Sequence, residues 1–250
     1  MLEWVGRFFW PFLRIGAFFL SLPVFNSRSL PMRVRVILAV SVTIMMMPVF
    51  PSASTMDMLN LAAILVAVRE IVIGLVIGFI LQMAFAALVF AGQNIAYSMG
   101  LGFAAMLDPQ LGVQVPIISQ VYLLFATLFF FGLDGHLVMI EILASSFHAL
   151  PPGLDGIGRE DVWNIVRWSS SVFSGGVLLS LPIVISLLFV NMALGIATRA
   201  APQLNIFSVG FPITLLLGLS LIWLTLPIIL HRFAETLPAA YEMILKLLQS

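Results

Sequence analysis

The chain contains no cysteine at all, which removes disulfide cross-links, thiolate metal sites and cysteine nucleophiles together and leaves the redox compartment unspecified. Charge is nearly as scarce. Asp, Glu, Lys and Arg supply 9% of the 250 residues against 62% hydrophobic ones, and the mean hydropathy is +1.15. That is too little polar surface to coat a soluble sphere of this size, so the composition describes a polytopic, membrane-embedded protein. Eleven bases balance eleven acids, and no basic cluster is interleaved with aromatics on a polar background, which sets nucleic-acid binding aside. The Ser169–Ser171 run has no His and Asp in a recognisable nucleophile arrangement. "GLDGIG" at 153–158 lacks the strand and helix of a dinucleotide loop, so both read as loop or packing features.

What is present is long apolar runs. A crossing needs about 20 apolar residues, and candidate helices fall at 8–25, 34–50, 61–98, 116–150, 164–198 and 204–231. Three of these are too long for a simple crossing: a helix over 61–98 would measure roughly 57 Å against a hydrocarbon core of about 30 Å, so such segments must protrude, kink or fold into hairpins. The N-terminal run carries Glu3 and Arg14 and ends without a small-x-small cleavage signal, so it reads as a retained first helix, with Trp4 and Trp10 suited to an interfacial belt. "NSRSLPMR" and "PVFPSAST" are polar or proline-bracketed stops, and 150–161, "LPPGLDGIGRED", is the one truly hydrophilic linker. The tail from His231, "HRFAETLPAAYEMILKLLQS", is too polar to span and is expected at a surface or against a partner. Arg28, Arg33 and Arg35 make the most basic short loop, which puts 26–35 in the cytoplasm and the N-terminus outside by the positive-inside rule.

Each charge inside an apolar run costs roughly 2.5–3.5 kcal/mol on insertion scales, so it asks for a partner or a function. Arg14 lies mid-helix in the first segment, and Arg69 and Glu70 lie near the start of the third. Glu70, Gly74 and Gly78 step by four and share a helix face, with Gln82 continuing the stripe. The GxxxG spacing allows close backbone approach. That face fits either a seam between subunits or an intramolecular contact in which Glu70 pairs with Arg69 or Arg14. Asp134, Glu141 and His148 recur every seven residues beside His136. A polar face toward a partner or aqueous cavity explains them better than a metal, because ligands on one helix come at i, i+3 or i+4. Arg199, Pro202, Gln203 and Asn205 form a turn whose density of hydrogen-bonding side chains exceeds what a helix stop needs, and which a subunit contact would use.

Several separated motifs then converge on one family. "FWPFLRI" (9–15), "REIVIGLVIGF" (69–79), "MGLGFAAMLDPQLGVQVP" (99–116), "GHLVMIEILASSFHALP" (135–151) and "TRAAPQLNIFSVGFPITLLLG" (198–218) closely resemble, in order and over nearly the whole chain, the FliR family of the flagellar type III export apparatus. The related injectisome export proteins share the architecture, and the 99–116 loop and "PQLN" look more flagellar. The resemblance implies an all-α, membrane-embedded fold of kinked helical hairpins, with residues 1–160 similar to FliP and 161–250 similar to FliQ, joined at the hydrophilic linker. It implies a noncatalytic export-gate subunit in the bacterial inner membrane at the flagellar basal body, assembled in a ring with FliP and FliQ, with FlhB as a neighbour. Unfolded flagellar proteins are the implied cargo, membrane lipid the surroundings, and no cofactor is implied. Asp134 departs from the family, where Asn commonly precedes "GH".

In the family the 100–116 segment lies in the throat of the gate. Phe103, Met106 and Leu107, hung on Gly100, Gly102 and the Asp108-Pro109 turn, are therefore expected to form an apolar plug; the other reading is simple packing against neighbouring helices. Burying such side chains is worth about 1.5–3 kcal/mol each, enough to hold a closed state and small enough for an arriving polypeptide to displace. Two other classes remain: a stand-alone transporter with Glu70, Asp134, Glu141 and His148 as a relay, or an intramembrane enzyme, for which no nucleophile and base stand at workable spacing.

Overall fold

The computed structural model describes residues 2–22, 24, 31–50, 60–102, 117–153, 157–200 and 209–249. Among the described residues there are seven α-helices and no strand: α1 (Leu2–Ser21), α2 (Met32–Met46), α3 (Leu61–Ser98), α4 (Ile117–Gly132), α5 (Gly135–Ala149), α6 (Arg159–Ala200) and α7 (Phe211–Gln249). The described fold is all-α, as the family resemblance implies and the apolar runs anticipate. Three helices, α3, α6 and α7, are long and apolar enough to cross a membrane, and α4 with α5 would make a fourth span if the bent pair counts as one.

Local chemistry explains the boundaries. α2 ends where Pro48 enters a single 3-10 turn, Met47–Val49, because proline supplies no N–H to continue the helix. α6 starts at Arg159, five residues before the apolar run that marks it in the sequence. Its first turn is fixed by Asp161, whose carboxylate accepts the backbone N–H of Gly158 at 2.8 Å, half of a capping box.

One of the three overlong apolar segments kinks, one of the outcomes that its length allows: 116–150 breaks at Leu133 and Asp134, and the two pieces bend by 72°. Asp134 occupies the left-handed region with φ 55°, the one non-glycine residue to do so among those described, and Gly132 and Gly135 flank it. Asp and Asn visit that region at least cost among residues with a β-carbon. The tail differs from the sequence expectation. Rather than forming a separate element, residues 231–249 continue α7 without interruption, and their apolar stripe, Leu237, Ala240, Ile244, Leu247 and Leu248, is buried within the chain.

The helices gather into two compact units, one of 1–84, 130–169 and 236–250, the other of 85–129 and 170–235. Each unit takes residues from both sides of position 160. The first has Trp10, Ala63 and Val66 packed with Leu13 and Ala67, and its most enclosed side chains include Arg14, Ile15, Phe18 and Phe147. The second is centred on Phe85, Leu88, Ala91 and Ile95 of α3, with Ala126, Ile183, Leu187 and Phe233; Phe85 meets Phe233 edge-on at 5.0 Å. In that unit the outward faces of α6 and α7 expose Leu178, Phe189, Trp223 and Leu224, the tryptophan at 76%. Apolar surface of that extent belongs against lipid or other protein, not water.

Candidate functional site

Among the described residues the chain buries one complete ion pair, within the first unit. Arg14 is 0% exposed and Glu70 1%. The guanidinium forks onto the carboxylate, Nε donating to Oε2 at 2.8 Å and Nη2 to Oε1 at 3.0 Å. Nη1 donates to the carbonyl of Ser146 at 2.7 Å and to its Oγ at 3.1 Å, and Nη2 donates to the carbonyl of Leu150 at 2.7 Å. All five N–H donors of the side chain are thus engaged. Ser146 Oγ passes the chain on by donating to Leu143 O at 2.7 Å. Phe147 lies under the guanidinium, 4.2 Å from ring centroid to Cζ, and the Phe50 ring stands 4.5 Å from that of Phe147, tilted by 56°.

The arrangement ties three helices. α1 supplies the cation, α3 the anion, and the C-terminal end of α5 two carbonyls at the negative end of its dipole: that of Ser146, which also accepts the Leu150 N–H at 3.0 Å, and that of Leu150 just past the helix. A cation there satisfies the carbonyls and the carboxylate together.

The glycines below Glu70 set the approach of α1 to α3. A β-carbon on Gly74 would collide with the carbonyl oxygen of Arg14 and stand 3.1 Å from Ala17 Cβ; one on Gly78 would collide with Ser21 Oγ and stand 2.9 Å from Phe18 O. Of the two readings open for the Glu70–Gly74–Gly78 face, the structure puts α1 on it, with Arg14 as the counter-ion. Gln82, one step further, is half-buried.

The second unit holds the root of the 100–116 loop. α3 stops in a Schellman motif: Gly100 N–H donates to Tyr97 O and Leu101 N–H to Ala96 O, both at 3.0 Å, with Gly100 at φ +85°. Glycine is required there because the left-handed turn penalises a β-carbon. Phe211 packs on Gly100, Thr214 Oγ1 donates to Met99 O at 3.3 Å, and a β-carbon on Gly218 would come within 2.6 Å of the Met99 side chain. α4, which follows the loop, crosses α3 at Gly92, where an added β-carbon would stand 2.7 Å from Ser119 Cα; Ser119 Oγ donates to Val89 O at 2.9 Å. α6 closes on α3 in the same way at Gly176, against Ala87 O and Phe90. Gly92, Gly176 and Gly218 were not singled out by spacing, although each is a glycine inside a helical run, the signal that close packing leaves.

The remaining candidates are dispersed. Gly102 stands beside Tyr97, while Phe103, Met106, Leu107, Asp108 and Pro109 lie outside the described residues, as do Pro202, Gln203 and Asn205. Arg199 is exposed in the last turn of α6. Glu70 takes Arg14 and not Arg69 as its partner; the buried Nη1 of Arg69 has no partner among the described residues, and with Val72, Ile73 and Ile157 it lines a cavity of about 120 Å³. Asp134 precedes α5 and is exposed, as are Glu141 and His148 on that helix. His136 is half-buried with its ring 5.3 Å from that of Phe131. Among the described residues no three His, Asp or Glu side chains converge as metal ligands would.

Comparison with known proteins gives one answer. The family model for bacterial export proteins, family 1, matches residues 5–239. The flagellar biosynthetic protein FliR of Pectobacterium carotovorum subsp. carotovorum is 39% identical over an alignment covering 100% of this chain and 97% of its own length. That of Escherichia coli strain K12 is 37% identical, covering 94% and 91%, and that of Bacillus subtilis strain 168 is 32% identical, covering 81% and 79%. The resemblance carried by the separated motifs thus extends along almost the entire chain, and the protein belongs to the bacterial export proteins of family 1, the family of the FliR proteins.

Proposed function

We propose that the chain is a noncatalytic subunit of the flagellar type III protein export gate. In this reading it assembles with FliP and FliQ, beside FlhB, in the bacterial inner membrane at the base of the flagellum, and the ring forms the conduit for unfolded flagellar proteins. Residues 1–160 supply the FliP-like part and 161–250 the FliQ-like part. The observation that carries the reading is similarity to FliR proteins over nearly the full length of both chains. The apolar faces of α6 and α7 left uncovered in the second unit, with Trp223 and Leu224 at 76% and 69% exposure, fit a chain surrounded by lipid and neighbouring protein.

The 100–116 loop acts as the seal, with Phe103, Met106 and Leu107 as its apolar plug. Its roots support that role: Gly100 ends α3 in a hydrogen-bonded stop, and α3 and α4 cross at Gly92 and Ser119. With α3 and α4 fixed on either side, an arriving polypeptide need displace a few apolar contacts, about 1.5–3 kcal/mol each, rather than unfold the gate. Arg199, Pro202, Gln203 and Asn205 contact a neighbouring subunit. Mild detergent extraction of a tagged chain from cells tests the assembly: FliP and FliQ should co-purify with it. A chain that emerges alone and moves a solute by itself after reconstitution would refute the proposal.

A further inference from the structure

In the first unit, α1 and α2 leave between them a groove of about 250 Å³, walled by Phe12, Gly16, Phe19 and Leu20 on one side and Met32, Val36 and Ala39 on the other. Met32, Arg35, Val36 and Ala39 stand at i, i+3, i+4 and i+7, one face of α2. Among the described residues Arg35 is the one charged residue lining the groove, and the others that line it are apolar. The rim is open: Met32, Leu20 and Val36 are 58%, 41% and 42% exposed. A β-carbon placed on Gly16 would meet nothing within 4 Å, unlike Gly74 and Gly78 on neighbouring α3. Gly16 therefore does not serve helix packing; its missing side chain is part of the groove.

We propose that this groove holds one acyl chain of an anionic phospholipid, with the phosphate of its headgroup met by Arg35. Two observations select this occupant. The wall offers no hydrogen-bonding pattern that would specify a peptide side chain, whereas a flexible hydrocarbon needs only apolar surface and a slot. The charge is also complementary: the sequence places Arg28, Arg33 and Arg35 within eight residues and has no acid between Glu3 and Asp57, and such a cluster at a membrane surface draws anionic headgroups. An arginine fork suits phosphate. The inference rests on the chain being embedded in a membrane and not on its export role.

The test uses the full chain in its detergent-extracted complex, equilibrated with equal amounts of dioleoylphosphatidylglycerol and dioleoylphosphatidylcholine and weighed with bound lipid by native mass spectrometry. Each copy of the chain should retain one phosphatidylglycerol in preference to phosphatidylcholine. Gly16→Leu should fill the slot and abolish that retention, Gly16→Ala should preserve it, and Arg35→Gln should cut the preference for phosphatidylglycerol roughly fivefold. Equal retention of the two lipids by the unaltered chain, or phosphatidylglycerol held as firmly by Gly16→Leu, would overturn the proposal. So would loss of a protein subunit from Gly16→Leu with lipid binding unchanged, because the groove would then belong to that subunit. The Arg35→Gln result stands by itself if Gly16→Leu fails to accumulate: an unaltered lipid preference there refutes the headgroup contact. Loss of the gate partners with the lipid still bound would count against the export reading alone.

Discussion

Replacing Arg14 by methionine should be among the most damaging single changes available to this chain. Methionine preserves the length and apolar stem of the side chain, so packing against Phe147 is largely retained while the five donated hydrogen bonds disappear. Glu70, 1% exposed, is then left as a buried carboxylate with no counter-ion, a change worth about 3–5 kcal/mol when one member of a buried pair is removed. The carbonyl of Leu150 loses its donor, adding about 1 kcal/mol or more, while that of Ser146 still accepts Leu150 N–H at 3.0 Å. A total near 4–6 kcal/mol approaches the whole stability of many domains. Arg14→Met should therefore accumulate poorly or melt far below the unaltered protein. Adding Glu70→Met should recover most of the loss, because the orphaned charge is gone and two apolar side chains can pack. Cellular abundance together with thermal unfolding in detergent, read by tryptophan fluorescence, measures all three. A single variant as stable as the parent, or a double variant no better than the single, would refute the assignment of the loss to an uncompensated Glu70.

The other expectations concern backbone. Gly74→Ala should destabilise the first unit by about 2 kcal/mol or more, since its β-carbon would collide with Arg14 O and overpacked contacts cost about that much; Gly16→Ala should be neutral or stabilise by up to about 1 kcal/mol, and detergent melting of the pair compares them directly. Asp134→Asn should leave thermal stability unchanged, while Asp134→Val should lose roughly 1–3 kcal/mol because a β-branched residue resists φ 55°; equal melting of the two would contradict the turn's role. Gly100→Ala should cost about 1 kcal/mol at φ +85° and loosen the end of α3, visible as faster amide exchange over 96–102.

Much of this was legible because it follows from periodicity. Six apolar runs mark the seven described helices, the run 116–150 holding both α4 and α5, and the step of four from Glu70 to Gly78 marks a packed face before any partner is known. Arg14 as that partner remained one of two possibilities, since a seam within the chain and a seam between chains demand the same small residues. The carbonyls of Ser146 and Leu150 were invisible: backbone acceptors 132 and 136 residues away from Arg14 leave no side-chain signature. The break at Asp134 was present as "GLDG", but a seven-residue count through Asp134, Glu141 and His148 treats the turn as helix. The tail misled for a related reason. Its polar face argued for a surface element, and the buried stripe from Leu237 to Leu248 needs only the other side of the same helix.

The central claim is that an apolar loop in this chain seals a conduit assembled from several proteins. It is tested most directly by deleting 103–107, purifying the assembled complex into liposomes, and recording ion flux with no export substrate present. The account predicts that the deleted form assembles normally and conducts at rest while the unaltered complex stays silent. A correctly assembled, deleted complex that remains as tight as the parent would contradict it.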